Sequence, residues 1–248
     1  KEKGLVDKLG GLDAALKSAA ARAGLTDYDV VYVEKPMSPR DQLLARLGAE
    51  VVKVEHPVHG ESGRGALPAM TDPQGRSVGA TFLRNNLDKR SLGLDLKSPR
   101  GRELFLELAG GFDVVGENFK AGTMDRLGLG YAELAARYPR LVYVSVSGFG
   151  NLGDSPYRSW PAYAMVPEAM SGLYEYARRP DEPPRVIPAG ALGDISSALF
   201  TVIGIQAALR HRDMTGRGQQ VDVAMLDSML AMTDVITNFW SLGIRANT

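Results

Sequence analysis

The sequence contains no cysteine among its 248 residues. Disulfide bonds, a cysteine nucleophile and thiolate metal sites are therefore excluded, and we expect a cytoplasmic protein. An excess of either charge is also missing, since Lys and Arg number 29 and Asp and Glu number 29. With a sequence pI near 7.1, the composition indicates neither nucleic acid nor a membrane surface as a partner.

A secretory leader and a long apolar run are not evident either. The chain begins Lys1-Glu2-Lys3-Gly4 with no apolar segment behind it, which is unlike a signal peptide. We find no uninterrupted apolar stretch of bilayer-spanning length, and we therefore expect no membrane partner. The 44% hydrophobic content is ordinary for a globular protein that buries a sizeable core.

Short β-branched runs alternate with helical patterns along the chain. The predicted strands include Val51–Val54, Val114–Val115 and Leu141–Val146, and the predicted helices include Pro99–Ala109, Gly122–Leu127 and Tyr131–Arg137. Near-continuous apolar strands that alternate with helices indicate a parallel sheet covered on both faces. The predicted fold class is therefore α/β, with a doubly wound, Rossmann-like sheet.

Two further regions complete this prediction. Residues 56–78 are rich in Gly, Pro and Ser, and we expect a long loop over the ligand edge of the sheet. Two long buried helices, Ile195–Arg212 and Val221–Phe239, are expected to form a C-terminal helical portion. A Gly-rich turn at Gly216–Gly218 would join them.

One turn of small residues carries a carboxylate directly before a long apolar segment. It reads Ala-Gly-Ala-Leu-Gly-Asp-Ile-Ser-Ser, from Ala189 to Ser197. Small neighbours leave room for a ligand, and the N-terminus of the following helix should keep Asp194 ionised. Such a carboxylate can act as a nucleophile on an activated acyl group. The alternative is that Asp194 only caps the helix, as Asp often does.

Several short blocks occur in a fixed order around this turn. They are LGAEVVKVE from Leu47, NLDKRSLGLDLK from Asn86, DVVGENF from Asp113, RLG from Arg126, Gly193-Asp194, and TGRGQQVDV from Thr215. In this order and spacing, the chain from about residue 43 onward resembles the class III CoA-transferases, the CaiB/BaiF family. Asp194 lies where that family carries its catalytic aspartate.

The resemblance implies that CoA moves between two carboxylic acids through covalent intermediates on Asp194, an anhydride and then an aspartyl-CoA thioester. The implied partners are an acyl-CoA, as substrate, and a carboxylic acid. No covalently bound cofactor and no metal are required by this chemistry.

The resemblance also implies a set of contacts to CoA. The matching positions are His56, Leu94, Leu96, Lys97, Asn118, Phe119 and Arg126. Arg126 and Lys97 would bind phosphate oxygens, although both also fit a solvated helix face. His56 stands where the family often has Arg, and a neutral His binds anions more weakly.

The segment before this resemblance has a different character. Gly4–Ala15 and Tyr28–Pro36 resemble the C-terminal tail of an S49-type signal peptide peptidase, without that enzyme's Ser and Lys. We therefore expect a chimera, joined near Leu43–Leu47. Residues 1–45 would form a peptidase-derived β-α segment, with a strand at Asp29–Glu34 and a helix at Pro39–Leu47. Residues 46–248 would form the transferase large-domain portion, without the family's second domain.

Two hypotheses from different classes follow. The chain is a CoA-transferase, or it is a non-catalytic chimeric or truncated module that keeps the fold and CoA binding. In either case we expect a homodimer that is not interlocked as in the family, because the connections that interlock are absent. The two C-terminal helices would still expose apolar faces that drive association.

Overall fold

The computed structural model of the protein describes residues 49–87, 89–179, 181–187, 190–233, 238–239 and 241–243. These residues form two compact units, with the division between Leu108 and Ala109. The predicted strand Asp29–Glu34, the predicted helix Pro39–Leu47 and the junction lie outside the described residues, so these predictions are not tested.

The first unit is built around a parallel pair of strands. In chain order its elements are β1 (Val51–Glu55), a 3-10 helix (Ser62–Gly65), β2 (Ala69–Thr71), β3 (Ser77–Gly79), α1 (Ala80–Asn85), β4 (Lys89–Gly93) and α2 (Pro99–Ala109). Strands β1 and β4 pair in parallel, with Glu55 opposite Gly93. Strands β2 and β3 form an antiparallel hairpin.

Residues 56–78 are not the structureless loop that was expected, since they hold the 3-10 helix and most of the hairpin. The turn of the hairpin is built by Asp72, whose Oδ1 accepts hydrogen bonds from the backbone N–H groups of Gln74 and Arg76, both at 2.9 Å. Gly75 supplies the left-handed backbone, with φ of 80°. The polar segment 56–78 therefore forms regular structure, and local hydrogen bonds stabilise the turn of its hairpin.

A buried carboxylate ties this region to the strand ends. Glu55 is 7% exposed and accepts two hydrogen bonds from the Arg64 guanidinium, both at 2.8 Å. Ser91 Oγ and the Glu61 backbone N–H also donate to it, at 2.9 and 2.8 Å. Arg64, which also lies 4.2 Å from the centre of the Phe82 ring, holds the pKa of Glu55 below its usual range.

The second unit is built around a three-stranded parallel sheet, in the order β5-β6-β7. Its elements are β5 (Val114–Glu117), α3 (Thr123–Arg126), α4 (Tyr131–Arg137), β6 (Val142–Ser147), α5 (Met165–Met170), a 3-10 helix (Leu173–Ala177), α6 (Leu192–Thr215), β7 (Gln220–Ala224) and α7 (Met225–Met232). Helix α6 connects towards β7 and packs on the sheet, where its Ala208 joins the buried Val142 and Val144. The apolar central strand is thus covered by a long apolar helix.

Several predictions on the fold are confirmed. Helices Pro99–Ala109 and Tyr131–Arg137 have the predicted bounds, and the strands of both units that were predicted from β-branched runs pair in parallel. The protein is therefore α/β. A single doubly wound sheet that unites these strands stays a prediction.

The prediction of one helix over Val221–Phe239 is wrong at its start. Residues 220–224 form strand β7, and the helix begins only at Met225. Apolar Val221 and Val223 alternate with Gln220 and Asp222, and this period of two is typical of a strand. The turn that precedes β7 leads into the sheet rather than into a helix.

Helix α6 also departs from the expectation of no bilayer-length apolar segment. It has 24 residues and contains an 18-residue window with a mean hydropathy of 1.5, so its length and composition alone would allow it to cross a membrane. The helix packs against β6, β7 and α7. Since core crossover helices have the same length and composition, this feature is weak evidence for a membrane span.

Candidate active site

The turn that carries Asp194 lies at the carboxyl-end edge of the three-stranded sheet. Gly148 follows the end of β6, and a Cβ added to it would lie 2.4 Å from the Ala162 Cβ. A Cβ added to Gly193 would lie 2.7 Å from the backbone oxygen of Ala164. The segment Ala162–Ala164 therefore contacts both the end of β6, at Gly148, and the residue before Asp194, at Gly193. In open α/β sheets, ligands bind outside this edge.

Asp194 is the third residue of α6 and does not cap the helix. The N-cap is Ala191, which makes no side-chain hydrogen bond to the helix, so the capping alternative is wrong. Asp194 is exposed, and within the described part of the chain no hydrogen bond or ion pair holds its carboxylate. The carboxylate is therefore free to meet a ligand.

The electrostatic surroundings of Asp194 differ from the expectation that the helix N-terminus would dominate. Desolvation by the surrounding protein raises the pKa of Asp194, and the negative charge of Glu168 raises it further. A carboxylate with a raised pKa is a stronger base, and hence a better nucleophile once it is ionised.

Glu168 is a site residue for which the sequence alone gave no role. It lies on α5, is 4% exposed, and accepts hydrogen bonds from the Gly193 backbone N–H at 3.0 Å and from the Tyr174 hydroxyl at 2.6 Å. The only sequence signal was a charged residue among apolar neighbours, Pro167 and Ala169. A buried carboxylate thus contacts the residue directly before Asp194.

Three of the residues assigned to CoA follow β5, with Asn118 and Phe119 on the loop and Arg126 at the end of α3. Asn118 and Arg126 are exposed, and the Phe119 side chain is 45% exposed. The Phe119 backbone N–H donates to Glu117 Oε2 at 2.7 Å, and the Arg126 guanidinium donates to Thr123 Oγ1 at 2.9 Å. The structure therefore brings these three side chains to the same edge of the sheet, with their outer faces open.

Asp222 on strand β7 anchors the loop after β6, which in turn contacts the segment after β5. Its carboxylate accepts hydrogen bonds from the backbone N–H groups of Asn151 and Leu152, both at 2.7 Å, and from Ser145 Oγ at 3.0 Å. Asn151 Oδ1 in turn accepts from the Gly122 backbone N–H at 2.9 Å. This role was not predicted, because Asp222 lies within the segment expected to form a turn and the start of a helix.

A cavity of about 180 Å³ lies beside the loop. Burial raises the pKa of Glu117, which lines it, to about 7, and the nearby charges of Asp222 and Asp125 act in the same direction. Tyr143, also in the lining, is hydrogen-bonded to Glu117. Across the described segments, no three His, Asp or Glu side chains are arranged to hold a metal ion.

The other residues assigned to CoA belong to the first unit. His56 directly follows β1 and Leu94 directly follows β4, and the Leu94 backbone N–H donates to the Glu55 carbonyl at 2.8 Å. Leu96 and Lys97 continue the same loop, with Leu96 half-buried and Lys97 exposed. These four residues therefore share the carboxyl-end edge of the β1–β4 pair.

The ring of His56 is partly committed to the backbone. Its Nδ1 lies 3.2 Å from the backbone nitrogen of Val58 and 3.3 Å from that of His59, and it accepts from both. The His56 and His59 rings stack, with centroids 4.9 Å apart. Only Nε2 of His56 is left to bind an anion, which limits the contact that this residue can make.

Comparison with known proteins identifies the family to which the chain belongs. The sequence profile of CoA-transferase family III matches residues 40–244, and the chain belongs to that family. The match begins before the junction predicted at Leu43–Leu47, so it includes those residues. The peptidase-like origin of the preceding segment is not tested by it.

The relatives are CoA-transferases of several named specificities. The chain is 41% identical over 194 residues to succinyl-CoA:mesaconate CoA-transferase of Haloarcula hispanica, covering 77% of this chain and 48% of that protein. It is 40% identical over 199 residues to acetyl-CoA:oxalate CoA-transferase of Acetobacter aceti, with coverage of 80% and 49%. It is 41% identical over 219 residues to formyl-CoA:oxalate CoA-transferase of Streptomyces coelicolor, with coverage of 88% and 51%. The chain thus spans about half the length of these relatives.

Solved structures agree with this assignment. A CaiB/BaiF family protein from Brucella suis is 38% identical with a TM-score of 0.73, covering 82% of this chain and 53% of that one. A protein from M. tuberculosis is 35% identical with a TM-score of 0.70, with coverage of 82% and 54%.

Proposed function

We propose that this chain forms the CoA-binding and nucleophile-bearing part of an enzyme that transfers CoA between carboxylic acids, with Asp194 as the nucleophile. The observation that carries the proposal is the exposed Asp194 carboxylate, unpaired within the described residues, at the ligand edge of a parallel sheet. Its raised pKa makes it a stronger nucleophile than an ordinary Asp. The CoA-transferase relatives support the reaction class.

The proposed reaction proceeds through four displacements at carbonyl carbon. An Asp194 oxygen attacks the donor thioester, the C–S bond breaks, and CoA thiolate leaves a mixed anhydride. The thiolate attacks the Asp194 carbonyl carbon and releases the donor acid as a carboxylate, leaving an aspartyl-CoA thioester. The acceptor carboxylate then displaces the thiolate to form a second anhydride. The thiolate finally attacks the acceptor acyl carbon, which releases the new acyl-CoA and the free Asp194 carboxylate.

The residues that we propose for CoA recognition form two groups, each at the strand ends of its own unit. Its phosphates require cations, for which we propose Arg126 and Lys97, with a weaker contact from His56 Nε2. The exposed ring of Phe119 offers a flat apolar surface, and Asn118 offers an amide beside it. Leu94 and Leu96 would supply apolar contact. CoA and acyl-CoA are substrates in this proposal, and no bound cofactor takes part.

The covalent intermediate provides the sharpest test. The protein is incubated with acetyl-CoA or succinyl-CoA and then with hydroxylamine, which converts an aspartyl thioester or anhydride into a hydroxamate that peptide mass spectrometry can locate. We expect the modification on Asp194, and none in Asp194→Ala. Asp227 is a matched control because it is also an exposed third residue of a helix, α7. Asp227→Ala should label normally.

Two outcomes of this experiment would count against the proposal. Modification at another carboxylate would remove Asp194 from its role. A folded protein that binds CoA but never labels would favour the alternative, a non-catalytic module. Turnover with a panel of acceptor acids, beginning with oxalate, mesaconate and malate from the names of the relatives, would then define the specificity.

We further propose a homodimer. The support is the apolar side of α6, where Leu199 and Ile203 are 57% and 63% exposed and Ile195 and Val202 are 43% and 40% exposed. A patch of this kind on a single helix promotes self-association. Light scattering over a dilution series should show a dimer, and a monomer that persists at high concentration would refute it.

The origin of the first segment and the unity of the sheet are also proposals. We propose that residues 1–45 derive from a peptidase tail and continue a doubly wound sheet from the N-terminal side. An experimental structure would test the second point, with residues 29–34 expected beside β1. Sequencing of the genomic DNA upstream of the junction would test the first: peptidase-coding sequence there would support a mixed origin, and transferase-coding sequence would refute it.

A further inference from the structure

Glu168 is a buried carboxylate that the proposed reaction does not use. It is 4% exposed and, within the described residues, it has no ion pair with a cation. Its carboxylate is satisfied by two donors, the Gly193 backbone N–H at 3.0 Å and the Tyr174 hydroxyl at 2.6 Å. Burying a charge with so little compensation is unfavourable, and such an arrangement therefore calls for an explanation.

The contacts of Gly193 suggest what this arrangement does. Ser197 Oγ donates to the Gly193 carbonyl at 2.6 Å, and Ser196 Oγ donates to the same oxygen at 3.2 Å. The backbone of Ala164 lies so close that only glycine fits at 193. The N–H and the carbonyl of Gly193 are thus both hydrogen-bonded, and its Cα packs against Ala164. The side chain of the next residue, Asp194, has no such contact within the described residues.

We propose that Glu168 is a positioning residue that fixes the first turn of α6 through Gly193 and so aims the Asp194 carboxylate at the bound thioester. The inference rests on the proposed role of Asp194 as the nucleophile. A nucleophile has to be within van der Waals distance of the carbonyl carbon and correctly aligned, and small displacements of its backbone are costly. The bond from Gly193 to Glu168 joins α6 to α5, which are 25 residues apart at this point.

The same carboxylate has an electrostatic effect on Asp194. The titratable groups that face this pair are Tyr174 from the 3-10 helix and the two carboxylates themselves, and no cation in the described residues neutralises them. Repulsion from Glu168 disfavours the ionised form of Asp194. Removing the Glu168 charge should therefore allow Asp194 to ionise at lower pH.

Glu168→Gln separates position from charge. A glutamine can accept from the Gly193 N–H through its oxygen and donate to the Tyr174 oxygen through its nitrogen, so both contacts are retained. We expect this variant to fold, to form the Asp194 adduct, and to show the acid limb of its pH–rate profile displaced to lower pH. Glu168→Ala should slow adduct formation by about 10- to 100-fold across the pH range, because the first turn of α6 loses its support.

Glu175→Gln is the matched control. Glu175 follows Tyr174 directly, pairs with Arg178 at 3.1 Å, and has no contact with Gly193. It removes one carboxylate from the same region and should leave both the rate and the pH profile unchanged. A profile that moved equally in Glu168→Gln and Glu175→Gln would overturn the proposal, because general charge would then explain the shift.

A direct titration distinguishes this proposal from the proposed function. The carboxyl ¹³C resonance of Asp194, assigned by its absence in Asp194→Ala, reports its pKa without any reaction. A lower Asp194 pKa in Glu168→Gln supports the electrostatic effect of Glu168 on Asp194 even if the wild type forms no adduct, in which case the proposed function fails. An unchanged Asp194 pKa, together with an unchanged adduct rate in Glu168→Ala, would overturn the role of Glu168.

Discussion

Glu117 gives the most quantitative prediction, because folding moves its pKa across the neutral range. Its carboxyl group is half-buried beside the loop that carries Asn118 and Phe119, and burial raises its pKa from 4.5 to about 7. A carboxyl group with a raised pKa holds its proton more tightly in the folded state than in the unfolded state. It therefore stabilises the fold below pH 4.5 relative to higher pH, and stability falls as the pH rises towards 7.

The size of this effect follows from the shift. The step from 4.5 to about 7 corresponds to about 3 kcal/mol at about 1.36 kcal/mol per pKa unit. Solvent screening at a half-buried position reduces this to about 1–2 kcal/mol. Glu117→Gln removes the titration but retains an acceptor for the Phe119 N–H. The variant should therefore become more stable than the wild type as the pH rises from 5 to 8, by about 1–2 kcal/mol.

Urea unfolding of the wild type and Glu117→Gln at pH 5 and pH 8 measures this difference directly. Glu133→Gln serves as the control, because Glu133 is an exposed carboxylate on α4, paired with Arg137 at 2.7 Å. Its stability relative to the wild type should change little between the two pH values. If Glu117→Gln gains nothing on the wild type between pH 5 and pH 8, the reasoning about burial at Glu117 is wrong.

Two further substitutions probe the supports of the site. Asp222→Ala should lower the free energy of unfolding in urea by about 2–4 kcal/mol, because two backbone N–H groups lose their acceptor and Asn151, which holds Gly122, loses its support. The variant should also bind CoA more weakly in calorimetry. An unchanged affinity would show that the loop keeps its shape without Asp222. Gly193→Ala should cost about 1–3 kcal/mol and suppress adduct formation, since the new Cβ would lie 2.7 Å from the Ala164 oxygen. Gly116→Ala meets no atom within 4 Å and is its control, so equal losses in both would contradict this explanation.

The elements that could be predicted are those whose pattern is local and strong. Pro99 and the apolar spacing behind it define α2, and the near-continuous apolar run from Val142 to Val146 defines the buried central strand. The predicted helix Val221–Phe239 included strand β7, where a segment of period two is followed directly by Met225, Met229 and Met232 at helical spacing. Over only five residues, a strand pattern cannot be told from the start of a helix unless the strand with which the segment pairs is known.

The candidate site divides in the same way. Asp194 could be found because small residues and ordered family blocks surround it in the sequence. Glu168 and Asp222 could not, because each acts through a partner far along the chain, 25 residues away at Gly193 and 71 residues away at Asn151. A single carboxylate has no sequence pattern that indicates which distant N–H group it will meet.

A common physical device connects these distant contacts. Glu55, Glu117, Glu168 and Asp222 each accept a backbone N–H from a loop or helix start near a strand end. Such segments contain few apolar side chains to bury, so a charge-assisted hydrogen bond replaces packing as the force that orders them.

Glu55 and Glu117 differ in their response to acid. Arg64 keeps Glu55 ionised below its usual pKa, so its contribution is lost only when the pH falls below the ordinary range of a glutamate, whereas Glu117 takes up its proton near neutrality. Mild acid should therefore alter the bond to Phe119 before it alters the Glu55 contacts in the first unit.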